Sequence, residues 1–427
     1  MRPIGRFLAR LSLSFLGLLV AVGLLEVALQ LYPAVPAARL RAPSEACREV
    51  ATSPVSSYDP YIGFRGVPGS SGEFSKTCEY SALYQTTVFR HQFAYNSEGW
   101  RDTSHAYEKP AGVTRIVVLG DSFSWGYGVA QSDAYPALLP ALLRGEGVDT
   151  EVITMAMPGW GPNQELVALT YEGLRYKPDV VVVQFAGNDY ADSLCASFEE
   201  RSSPQFYVGG DGELKWPDLP LATSNQSSEL QRPDLPVWMA EEDKSHCGKA
   251  VAKASTAQTG PSKSDLTWLN LKRWLERHSI SYRLVRDSVK SVRLTQTLAE
   301  AGGVTEPAQA AVPKPARAVA LVKALLETIK RTSEANGAAF VLLTAPLYQS
   351  TLRPADAPTE DQALISEFSG HALDLTHAFR NARISEPRKA FYFAPEDGHW
   401  TAAGHRLAAH ELARHLRELL NATGTIR

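Results

Sequence analysis

Four largely apolar runs along this chain each stop on a turn. Ile-Val-Val-Leu at 116–119 ends on Gly-Asp-Ser, and Val-Ile-Thr-Met-Ala-Met at 152–157 ends on Pro-Gly-Trp-Gly. Val-Val-Val-Val-Gln-Phe-Ala at 180–186 ends on Gly-Asn-Asp, and Ala-Ala-Phe-Val-Leu-Leu-Thr-Ala at 338–345 ends on Pro346. Short apolar runs bounded by Gly or Pro read as buried strands. Helical spacing fills the intervals, over Tyr135–Leu143, Asn163–Arg175 and 317–335. A shorter strand is expected around Ala372–Leu375, and Thr401 caps a last helix through about Leu420. Strand and helix in alternation predict an α/β fold with a parallel sheet and right-handed crossovers. The turns then lie at the carboxyl ends of strands, where open α/β sheets place their ligands.

The rhythm breaks over about 195–315, an insertion in which only 264–300 regains helical periodicity, with Trp268, Leu271, Trp274, Leu275 and Leu284 on one face. Such an insertion forms either a helical cap over the strand ends or a surface pair packed elsewhere. Its tryptophans read as core residues. Before the sheet, residues 88–96 alternate like a strand, and Tyr58–Phe64 opens the folded part; packing against the sheet edge is the expected role of this lead-in.

The amino terminus follows a different pattern. Residues 11–32 are almost wholly apolar, interrupted by Glu26 and Gln30, and Arg2, Arg6 and Arg10 precede them. About 20 apolar residues span a bilayer as a helix. The preceding positive charge keeps residues 1–10 in the cytoplasm, although Arg39 and Arg41 follow the stretch. The alternative is a signal peptide cut after Ala37, but its apolar core is about 7–15 residues and this run is longer. A transmembrane signal anchor over 11–32, a linker over 33–57 and a folded domain over 58–427 outside the cytoplasm are the expected organisation. Cys47, Cys78, Cys195 and Cys247 all follow the anchor and form no CxxC. Four cysteines in an oxidising compartment allow three disulfide pairings, or free thiols; proximity favours Cys47–Cys78 and Cys195–Cys247. With 43 Lys and Arg against 46 Asp and Glu, the net charge of −3 offers no electrostatic case for nucleic acid.

Candidate chemistry sits on the turns. Ser122 follows the first strand, a position for a nucleophile, although Asp-Ser after a strand is also an ordinary helix cap. Gly159 and Asn188 follow the second and third strands, and Asp397-Gly-His399-Trp precedes the last helix. A serine hydroxyl needs a base, which His399 can supply. A carboxylate must then orient the ring: Asp397 is chosen, with Glu396 the rival. Together these blocks, over about 110–190 and 338–420, resemble the SGNH (GDSL-type) hydrolase superfamily. The lead-in phrases Asp59-Pro60 to Gly63 and Asn96-Ser-Glu-Gly-Trp-Arg101 resemble its membrane-anchored bacterial members.

The resemblance implies a flavodoxin-like three-layer α/β/α fold, a Ser122–His399–Asp397 triad, and an oxyanion hole from the backbone N–H of Ser122 and Gly159 and the Asn188 amide. It implies no cofactor, and the scattered histidines 371, 377, 410 and 415 show no metal-ligand pairing. Asp121 and Asp189 are expected to make supporting hydrogen bonds, Ser124 to be a first-turn residue, and His405 to be packed. The expected activity is acyl ester hydrolysis on O-acylated, carbohydrate-linked substrates of the envelope. An O-acyltransferase using the same residues, or a silent polysaccharide-binding module, are the alternatives.

Overall fold

The computed structural model describes residues 47–81, 84–194, 197–198, 201–221, 316–354, 357–358, 361–394 and 397–422, with 17, 20–25 and 27–28. The chain forms two compact units. One comprises residues 1–50, 76–88 and 257–310. Within it a disulfide joins Cys47 to Cys78, the pairing that sequence proximity favours. Cys195 and Cys247 lie outside the described residues. A strand at Cys47–Ala51 also occupies a stretch expected to be linker.

The second unit comprises residues 51–75, 89–256 and 311–427 and contains the sheet. Its strands are β1 (Thr114–Gly120), β2 (Thr150–Ala156), β3 (Val180–Ala186), β4 (Ala339–Ala345) and β5 (Ala372–Asp374). All pair in parallel, in the order β5-β4-β3-β1-β2. This is the flavodoxin-like order, whose switch point lies between β1 and β3.

The period-2 alternation of the strands divides the core. Ile116, Val118, Val180, Val182, Val341 and Leu343 face one layer. That layer consists of α2 (Tyr135–Gly145), α6 (Thr376–Ser385) and α7 (Ala402–Ala422). Helices α3 (Pro162–Tyr171), α4 (Asp189–Leu194) and α5 (Ala316–Ala335) form the other layer. Strands buried on both faces must be apolar throughout, which is why they read as continuous runs. One short helix, α1 (Ser122–Trp125), follows β1 directly.

Directly after the lead-in, Asp102 Oδ2 accepts from Thr154 N of edge strand β2 at 2.8 Å. Arg115, buried at the start of β1, donates to the carbonyls of Ala106, Tyr107, Glu108 and Tyr176 at 2.8–3.2 Å. Among the described residues no helix is long and apolar enough to cross a membrane. Most of the expected span 11–32, and the expected helices at 264–300 with Trp268 and Trp274, lie outside the described residues.

Candidate active site

The turn after β1 is shaped by two close approaches. A Cβ at Gly120 would run into Ser124 Oγ and Gln184 Oε1, so only glycine lets the chain turn here. Asp121 then caps α1, its Oδ1 accepting from Phe123 N at 2.9 Å. The cap is therefore Asp121, which leaves the Ser122 hydroxyl available for another partner. Gln184, buried in β3, accepts from Asp121 N, Ser124 N and Ser124 Oγ at 3.0–3.2 Å. Ser124 also meets the Tyr135 hydroxyl at 2.7 Å, which makes it a brace of the turn.

Ser122 Oγ lies 2.7 Å from His399 Nε2, although 277 positions separate them. His399 Nδ1 lies 2.6 Å from Asp397 Oδ1, which also accepts from His399 N at 2.8 Å. The carboxylate thereby fixes both the ring and the backbone that carries it. Glu396 lies outside the described residues. Nδ1–H donating to Asp397 leaves Nε2 as the acceptor for the serine proton, the tautomer a base requires. Trp400, fully buried, stacks on Phe379 and anchors the segment beneath.

The other two turns converge on the same strand end. Met157 N donates to Gly120 O at 3.3 Å, which lays the second turn beside the first. Gly159 there has φ +83°, a left-handed conformation that favours glycine. Asn188 Nδ2 donates to Asp121 Oδ2 and to Asp192 Oδ2, both at 2.9 Å. Both amide hydrogens are thus committed to carboxylates in this arrangement. Asp189 Oδ2 accepts from Ala186 N at 2.8 Å, the supporting role expected of it. His405 is packed, receiving Tyr135 N at Nδ1 and held by burial at a pKa of about 3, hence neutral.

Behind the turn lies a group of buried acids that the pattern of the sequence does not announce. Asp121, Glu165 and Asp189 are all fully buried. Both carboxyl oxygens of Glu165 and Oδ1 of Asp189 lack a hydrogen-bond partner. Burial raises Asp121, against the hydrogen bonds from Asn188 and Phe123. It pushes Glu165 and Asp189 well up, and the Asp121 charge adds to both. Gln184 interrupts an apolar strand, and Glu165 stands in a polar first helix turn beside Asn163 and Gln164; neither position marks its residue as buried at this turn.

Residues 118–237 match the sequence model of the GDSL-like lipase/acylhydrolase family. Over that stretch the chain is similar to GDSL-type ester hydrolases. An arylesterase of Vibrio mimicus is 33% identical over 75 residues, which cover 18% of this chain and 38% of that protein. The chain thus spans under two-fifths of the curated relative it matches. Among solved structures, the psychrotrophic esterase EstA from Pseudoalteromonas sp. is 13% identical with a TM-score of 0.31, over 72% of this chain and 99% of that one. The acetyl xylan esterase AlAXEase is 12% identical with a TM-score of 0.31, over 70% and 98%. Both likenesses are shallow, and the chemistry of the domain rests on the geometry of its own residues.

Proposed function

We propose that the chain is a serine-dependent acyl ester hydrolase acting outside the cytoplasm on O-acylated, carbohydrate-linked substrates. The observation that carries this reading is the unbroken relay from Ser122 Oγ through His399 to Asp397, at 2.7 and 2.6 Å. Ser122 Oγ attacks the ester carbonyl carbon while His399 Nε2 takes its proton. The imidazolium, held by Asp397, returns that proton to the departing alcohol oxygen. Water then adds to the acyl-serine by the same base, releasing the acid and restoring Ser122.

Charge developing on the carbonyl oxygen is met by the N–H of Ser122 and of Gly159 in the adjoining turn. Asn188 joins them when its amide turns from Asp192 and keeps its bond to Asp121. Two features support the location. Three arginines precede the apolar 11–32 segment, and the Cys47–Cys78 disulfide suits an oxidising compartment.

The full-length protein with p-nitrophenyl acetate tests the relay. Ser122→Ala and His399→Ala should each lose at least about 10³-fold in kcat, and Asp397→Asn about 10³–10⁴-fold. Turnover retained in Ser122→Ala, or no phosphonate labelling of Ser122 in the parent, would overturn the reading. Release of acetate from an acetylated glycan, compared with transfer to an added glycan, tests the substrate class and water as the acceptor.

A further inference from the structure

The loop Trp125–Val129 joins α1 to the rest of the chain and carries Tyr127 to the catalytic histidine. The Tyr127 ring centroid lies 4.1 Å from that of His399, with 31° between the planes. Phe123 meets the same imidazole at 5.1 Å. Tyr127 is itself backed by Phe74 at 5.4 Å and Phe89 at 5.1 Å, both edge-on. It is 7% exposed.

The loop cannot hold this shape by local sequence alone. Gly126 and Gly128, on either side of Tyr127, have φ of +81° and +85°. Glycine at both positions leaves the unfolded loop many conformations to lose. The loop's brace comes from the lead-in. Arg101, 4% exposed, donates Nη1 to the carbonyls of Trp125 and Gly126, each at 2.8 Å, and Nη2 to Val129 O at 2.8 Å. Its guanidinium lies over the Trp125 ring at 4.3 Å. Nη2 also donates to Gln92 O at 3.2 Å and meets His91, which is kept neutral by burial and by Arg101, at a pKa of about 4. A buried cation that holds three carbonyls of one loop has the fixed fork geometry to set that loop's position. Tyr127 N in turn donates to Ser122 O at 3.0 Å, tying the loop to the nucleophile's own residue.

We propose that Tyr127 is a positioning residue for His399, its ring held against the imidazole by a loop that Arg101 braces. The ring fixes the rotamer in which Nε2 faces Ser122, and its π face favours the imidazolium formed as Ser122 attacks. This rests on the reading of His399 as the general base. It gives the Asn96–Arg101 phrase a part in the chemistry beyond covering the sheet edge.

The charged and titratable groups facing His399 are Asp397, Asp121, the neutral His405 and Tyr127 itself. Replacing Tyr127 alters only the last. In the full-length protein with p-nitrophenyl acetate, Tyr127→Leu should lower kcat about tenfold with KM within about twofold. Tyr127→Phe keeps the ring and should recover most of the lost kcat, a rescue that the ring contact at 4.1 Å requires. Arg101→Lys should repeat the loss of kcat, and in a Tyr127→Leu background it should add little.

Parent-like kcat in Tyr127→Leu would overturn the proposal. So would Tyr127→Phe as impaired as Tyr127→Leu, which would assign the effect to the hydroxyl. Independent, additive losses from Arg101→Lys and Tyr127→Leu would remove Arg101 from it. A parent without turnover or phosphonate labelling would instead sink the hydrolase reading, so the two failures are distinct.

Discussion

Glu165 offers a test of the buried acids that does not depend on turnover. It is fully buried, neither carboxyl oxygen has a partner, and burial followed by the Asp121 charge raises its pKa well above the ordinary carboxylate range. A group in that position is neutral in the folded protein and ionised in the unfolded chain above about pH 4.5. The folded state then binds one more proton than the unfolded state, so stability falls as pH rises. This contribution is fully present below the unfolded pKa. It is lost at about 1.4 kcal/mol per pH unit from there up to the folded pKa.

Glu165→Gln keeps the shape, removes the titration, and places amide hydrogens beside Asp121 and Asp189. Denaturant unfolding of the full-length protein at pH 5, 6, 7 and 8 should show two curves that diverge. The variant should lose less stability per pH unit than the parent, by up to about 1.4 kcal/mol over each unit in which Glu165 stays neutral. Asp189, raised by the same causes, keeps a residual slope in the variant. Parallel stability curves for parent and Glu165→Gln would refute the reasoning, because they would mean that Glu165 titrates alike folded and unfolded.

Three further outcomes follow from packing and buried hydrogen bonds. Gly120→Ala should destabilise by about 1–3 kcal/mol and slow phosphonate labelling of Ser122, because the new methyl displaces Ser124 or Gln184. Gly145→Ala, at the end of α2 with open space around its Cα, should be neutral or stabilising by about 0.5–1 kcal/mol. Arg115→Met should cost about 2–4 kcal/mol in denaturant unfolding, since it strands carbonyls that Arg115 now satisfies. Its ion pair with the partly exposed Glu151 adds little to that loss. A cost below about 1 kcal/mol would show that water reaches those carbonyls.

What the chain determines on its own is the sheet and the positions of its turns. Valine runs such as 180–183 have no stable place except between two helical layers, and Gly120, Gly159 and Gly187 mark where each strand must stop. The observed strand β4 (Ala339–Ala345) and helix α7 (Ala402–Ala422) lie within two residues of the pattern. Ser122, Asp397 and His399 were legible because they stand at strand ends and before a helix, positions whose side chains need no burial.

Tertiary structure decided the rest, because it concerns neighbours in space that no spacing encodes. Gln184 braces residues some 60 positions earlier, and Glu165 meets Asp121 and Asp189 only after two crossovers have stacked their elements. In sequence Arg101 closes a lead-in phrase expected only to pack against the sheet edge. Burial against the carbonyls of Trp125, Gly126 and Val129 makes it a structural pin. Local pattern records whether a residue faces water or core. Which polar groups meet once inside is set by the order of the strands, and that order put Asn188 against Asp121.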